Sequence, residues 1–216
     1  MKRLIFAFAF AGLISVQPAS AQSGFYFGVA GGGSFFFDQS YETDVDQDGT
    51  ILDDAGDVDV SFDTGYNIEG QIGYQVDTNI RIEAGLAYLT ASGERTFSFD
   101  TVESDTDQDI EILQVTAGVF LDLWPISVIV PYIGGGIGYA NVVVDNDDFG
   151  DDEQDVLLLF AEGGIPYNVT PALAIVPSVR FNWYHTEERI ADELLFPIIG
   201  DDLFNTDLRI GARLSF

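Results

Sequence analysis

Cysteine is absent from this chain, and lysine occurs once, at Lys2. Without cysteine no disulfide staples an exported fold, so stability has to come from packing, hydrogen bonds and ion pairs. Beyond residue 21 no apolar run approaches the length of a spanning helix, and no segment carries a helical period. If the chain enters a membrane, it must do so with strands. Positive charge is also scarce. After Arg3 every basic side chain except His185 is an arginine, set against 36 Asp and Glu. Such an acidic excess repels nucleic acid, and repels bare anionic lipid unless divalent cations intervene.

What is present starts with a leader. Lys2 and Arg3 precede an apolar run from Leu4 to Val16, and Ala19-Ser20-Ala21 follows as an A-x-A site. Residues 1–21 are expected to be a cleaved export signal, and residues 22–216 a single domain.

In that domain short apolar-striped runs alternate with acidic connectors. From Ser61 to Val76, Phe62, Thr64, Tyr66, Ile68, Ile72, Tyr74 and Val76 share one face, while Asp63, Asn67, Glu69, Gln71 and Gln75 share the other. That is period two, the mark of a strand with two different environments. The same reading gives eight strands, near 24–37, 60–76, 79–92, 110–124, 128–144, 156–168, 172–185 and 203–216. Their connectors alternate between two or three residues (77–78, 125–127, 169–171) and long acidic stretches (38–59, 93–109, 145–155, 186–202). Short turns at one end and long loops at the other fit an all-β, transmembrane, eight-stranded antiparallel up-and-down β-barrel.

Alternation alone also suits a soluble barrel, apolar inside. Three features favour the membrane form. The charged rows pair arginine with carboxylates: Asp63, Glu69, Arg81, Glu83, Asp122, Glu162, Arg180, Arg209 and Arg213. Arginine suits desolvated ion pairs, whereas a solvated face usually carries lysine too. These residues are expected to form an ion-pair network in the lumen. Aromatics mark both ends of the apolar face, Phe35, Phe37, Tyr66 and Trp183 toward the long loops, Phe25, Tyr74, Tyr88 or Tyr167 and Phe216 nearer the turns or mid-depth, although Tyr88 lies toward the outer end. Glycines such as Gly73, Gly85 and Gly134 leave room for large side chains inside a narrow barrel; bulges and bends are the alternative. Pro166 and Pro177 fall inside predicted strands, which requires a bulge or a broken ladder there.

"GFYFGVAGGGSF", "DTGYNIEGQIGY", "VPYIGGGIGYA", "YNVTPALAI" and the closing "LRIGARLSF" resemble the small Gram-negative outer-membrane barrels of the OmpA/OmpX and opacity-like type. The resemblance implies residence in the outer membrane and contact with its lipid and lipopolysaccharide. It also implies insertion by the barrel-assembly machinery, with Phe216 as the assembly signal. A monomer is expected.

The acidic connectors admit two readings. Asp44, Asp46, Asp48 and Gly49 match the start of a D-x-D-x-D-G calcium loop, but position 12, where a bidentate Glu belongs, is Ala55. Asp44, Asp46 and Asp48 are thus candidate calcium ligands, and a solvated acidic loop is the blander alternative. Calcium or magnesium would also link such loops to lipid phosphates; no other cofactor is expected. "ADELLFPIIGDDLF" in the last connector places an apolar cluster where a partner or adhesion site could sit. His185 ends strand seven on the outward row, where barrel enzymes that modify lipid A keep their base. The H-x-S pattern is missing, and no serine lies on adjacent outward rows, so no catalytic role is assigned. The expected role is structural or surface-interactive, with an extracellular ligand at the loops; a small porin-like channel is the alternative.

Overall fold

The computed structural model describes residues 24–45, 51–99, 102–124, 128–146, 150–185 and 202–216. Its elements are strands: β1 (Gly24–Phe36), β2 (Gln39–Val45), β3 (Ile51–Phe62), β4 (Gly65–Gln75), β5 (Ile80–Phe99), β6 (Val102–Asp122), β7 (Tyr132–Asn146), β8 (Gly150–Gly164), β9 (Tyr167–Asn168), β10 (Leu173–His185) and β11 (Leu203–Ser215). Every ladder is antiparallel. β1, β4, β5, β6, β7, β8, β10 and β11 pair in turn, and β11 returns to β1 with Tyr26 opposite Ser215 and Phe36 opposite Asn205. The result is a closed eight-stranded barrel. Closure leaves no ladder edge in the wall, which any sheet surrounded by hydrocarbon requires.

Three connectors differ from the sequence reading. Region 38–59 contains β2 and β3, which pair with each other. Region 93–109 is crossed by β5 and β6, whose ladder continues to Phe99 opposite Val102. β7 and β8 run on to Asn146 opposite Gly150. The sequence reading took these acidic stretches for loops because alternation there lacks an apolar outward row. β5 and β6 have 20 and 21 residues, whereas a tilted strand crosses hydrocarbon in roughly nine to eleven. Their upper halves therefore stand in water.

The turn at the base of β6 is longer than expected. β7 begins at Tyr132, and Leu123 N–H donates to the Pro131 carbonyl at 2.8 Å. Ile129 bridges to Tyr167, and Val130 N–H donates to the Pro166 carbonyl at 3.1 Å. Pro166 thus lies in the gap between β8 and β9, where no N–H is required of it. Pro177 stays within β10, and its carbonyl accepts Ile165 N–H at 3.0 Å.

A bulge separates β3 from β4. Phe62 faces Gly93 and Tyr66 faces Thr90, so the β3–β4 side holds one more residue than β5 does. The phase of the strand flips there. Phe62 turns inward onto Phe36, with ring centroids 5.3 Å apart, and does not share the outward row of Tyr66. Asp63 is exposed at the break; its expected place in the lumen network is a correction that one extra backbone residue forces.

Along β6 and β8 the two faces exchange character at one level. On β6 the inward residues run Asp122, Phe120, Thr116 and Gln114, then Ile112 and Ile110; the outward ones run Leu121, Val119, Val115 and Leu113, then Glu111 and Asp109. β8 repeats this, with Glu162 giving way to Leu158 and Val156 inside, and Leu157 giving way to Asp155 and Glu153 outside. The lower storey is polar within and greasy without. The upper storey is the reverse, with Leu89, Ile112, Val142, Leu158 and Leu203 in one buried core. Each storey buries whatever its surroundings cannot solvate.

Candidate functional site

The lower lumen is a lattice of arginines and carboxylates, and the strand register explains why they meet. Arg81 on β5 donates from Nε to Asp122 Oδ1 on β6 at 3.0 Å, and its Nη1 pairs with Glu83. Its guanidinium also lies over the ring of Tyr132, 4.5 Å from the centroid. Higher up, Glu162 on β8 receives Arg180 Nη2 at 2.8 Å and Arg209 Nη2 at 2.7 Å. Glu69 on β4 lies 3.2 Å from Arg180 Nη1 as an ion pair and accepts a hydrogen bond from Arg209 Nη1. Arg81, Arg180, Arg209, Glu69, Asp122 and Glu162 are all buried. Charges so far from water persist only when paired and hydrogen-bonded. Arg213 sits lower, its guanidinium 5.4 Å from the Tyr26 ring centroid. Of the expected network, Asp63 stands on the exposed side of the wall, and Arg213 lies against Tyr26 outside the ion pairs described above.

Neutral partners complete the lattice. Tyr26 and Tyr132 donate their hydroxyls to Glu83 and Glu162, each at 2.5 Å. Asp207 accepts from Ser34 Oγ at 2.6 Å, Asn182 Nδ2 at 2.8 Å and Asn205 Nδ2 at 2.9 Å. At the boundary with the apolar storey, Tyr184 donates to Gln114 at 2.9 Å. Sequence reasoning weighted charge and so missed the neutral ones among these residues, although all lie on inward rows. Glycine makes the space: a Cβ at Gly73 would stand 2.1 Å from the Tyr26 ring, and one at Gly85 2.3 Å from Glu69 Oε1.

His185 lies on the outward row at the level where that row turns polar. Its Nδ1 is 2.8 Å from Asp202 Oδ1, and its ring stands edge-on to Trp183 at 5.9 Å. Asp202 supplies an orienting carboxylate that the sequence reading left in a connector. The register partner of His185 is Leu157. Asp44 belongs to β2, while Asp46 and Asp48 lie outside the described residues, as does most of the apolar cluster after Ala191. Among the described residues no group of His, Asp or Glu is arranged to hold a metal ion. Phe216 ends the outward row beyond β11, its ring 5.7 Å from that of Phe27 and its N–H bound to the Phe25 carbonyl at 3.0 Å.

Comparison with known proteins places this architecture. No curated protein matches the chain. The neisserial surface protein A, NspA, shares the fold at a TM-score of 0.57 and 17% identity, covering 90% of this chain and 99% of that one. OprG, an outer membrane protein of Pseudomonas aeruginosa, does so at 0.53 and 14%, covering 90% and 94%. Identities this low speak for the fold alone. The profile of the outer membrane protein beta-barrel domain matches residues 6–216. The chain belongs to the outer membrane protein beta-barrel domain family.

Proposed function

We propose that this protein is a sealed barrel of the outer membrane, with a structural and surface-interaction role rather than a conducting one. One observation carries the reading: the lumen is filled at two successive levels. Below, Arg180 and Arg209 reach across to Glu69 and Glu162; above, a buried apolar cluster around Leu89, Ile112 and Leu158 closes the same axis. An ion passing through would have to break buried pairs and then cross an apolar plug, both costly steps. The acidic outer rim and connectors are then what the cell presents to its surroundings, and cations are the natural bridge from them to lipid phosphate or to a partner. Planar-bilayer recording tests the reading. Refolded protein is expected to give no discrete current steps, and regular unitary steps would favour the porin-like alternative.

A further inference from the structure

The two storeys of the barrel differ in how they meet salt. Four of the six arginines that follow Arg3, namely Arg81, Arg180, Arg209 and Arg213, belong to the lower lumen. There Arg81, Arg180 and Arg209 are buried against carboxylates. Mobile ions do not reach such pairs, so screening leaves them nearly unchanged. The upper ladders are built otherwise. Antiparallel register sets Glu42 directly opposite Asp57, Glu94 opposite Asp107, and Asp145 opposite both Asp109 and Asp151. Directly opposite positions stand about 5 Å apart at Cβ, and like charges there weaken the ladder. Arg95, the arginine of the described upper ladders, is set opposite Val60 and Thr106, so it offsets none of these pairs directly.

Two further features let the upper storey respond on its own. Its wall is cut from the lower one at residues 37–38, between β1 and β2, and at residues 63–64, between β3 and β4. β3 instead joins the barrel through its ladder with β5, from Asp57 opposite Ser98 to Phe62 opposite Gly93. The buried apolar core reaches up to Ala91, Ile110 and Val144, while the β5–β6 ladder runs on above it to Phe99 opposite Val102. We propose that the outer storey is an ionic-strength switch: counterions of the medium hold its upper ladders closed, and dilution opens them while the lower barrel stays shut. Screening does this, not a coordinated ion, because the opposed acids are spread over β2, β3, β5, β6, β7 and β8 and are not gathered at one point. The surface presented to the outside is then set by the salt around it. The switch is independent of whether the lumen conducts.

Amide hydrogen exchange read by mass spectrometry tests it on the full chain, refolded in nanodiscs of zwitterionic phosphatidylcholine. Sodium chloride is raised from about 10 mM to about 1 M, which shortens the Debye length from roughly 30 Å to about 3 Å. Amides of 92–99 and 102–109 are expected to exchange roughly tenfold more slowly at high salt, as several weak repulsions are removed together. Amides of 82–86 and 115–119 in the lower wall should change by less than about twofold. Asp107→Asn with Asp145→Asn takes a charge from every opposed pair except Glu42–Asp57. It should raise protection at low salt and flatten the response, while heat-modifiable gel mobility shows that the barrel still closes. Choline chloride at the same ionic strength should act as sodium chloride does. A response to sodium alone would mean a bound ion and overturns the proposal. So does an equal response in both storeys, or one that survives the double substitution.

Discussion

Arg209 on β11 and Glu162 on β8 meet at 2.7 Å although a whole strand, β10, stands between them in the wall. The contact is a strap across the lumen, not a rung of a ladder, and its two ends have no access to bulk water. Removing Glu162 leaves Arg180 and Arg209 to share Glu69, with one buried positive charge in excess. Glu162→Ala is therefore expected to lower stability by about 3–5 kcal/mol, the usual cost of orphaning a buried charge. Urea titration of the refolded barrel, followed by gel mobility, measures it. Replacing Glu153 on the exposed side of the same strand should shift the midpoint by less than about 1 kcal/mol.

Two glycines on one strand should respond in opposite ways. A Cβ on Gly73 would overlap the Tyr26 ring, while one on Gly70 would meet nothing within 4 Å. Gly73→Ala has to displace Tyr26 from Glu83, at about 1–3 kcal/mol for an overpacked site. Gly70→Ala should be neutral or slightly stabilising. Parallel unfolding curves for the two variants decide.

The exchange of faces along β6 is open to direct test. Val119→Arg puts a charge in the apolar band, where about 2–4 kcal/mol is expected, whereas Glu111→Arg at the rim should cost about 0–1 kcal/mol. In the upper storey the burden moves inside: Leu158→Ala, at a fully buried position, should cost about 2–5 kcal/mol. Similar losses at Val119 and Glu111 would mean that the rim is not where the rows place it.

The turn that joins β4 to β5 has its own pH dependence. Thr78 donates to Asp77 Oδ1 from its N–H at 2.6 Å and from its hydroxyl at 2.9 Å. These bonds favour the charged form and hold the Asp77 carboxyl below its ordinary value. A lowered folded value contributes stability above the unfolded one, near 3.9, which is lost as pH falls through the folded value. The difference between wild type and Asp77→Asn should be constant near neutrality and disappear in acid below about pH 4. Urea midpoints across that range check the sign.

Much of this architecture was legible in the sequence, and the failures share a cause. Period two with an apolar outward row marked the strands wherever lipid surrounds them, and the arginine rows on β5, β10 and β11 pointed to the lumen. Above the bilayer the alternation persists, but water is outside. Ile110 and Ile112 face in while Glu111 and Asp109 face out, so a search for greasy outward rows stops too early. Phe62 misled for a different reason. A single extra residue at the bulge reverses the phase, and nothing in "SFDTGY" distinguishes Asp63 outside from Asp63 inside. The Trp183–His185–Asp202 cluster needed the register between β10 and β11, which composition does not supply.

The seam between β1 and β11 has a consequence for how the protein is made. The first strand of the fold finds its second partner only when the last has been synthesised, so the longest loop in the chain closes at the final step. A chain that stops before Leu203 leaves the flanks of β1 and β10 both unpaired, with no water in the bilayer to satisfy their N–H and C=O groups. Closure of the wall is therefore all-or-none, and a chain without its last strand has no smaller cylinder to settle into.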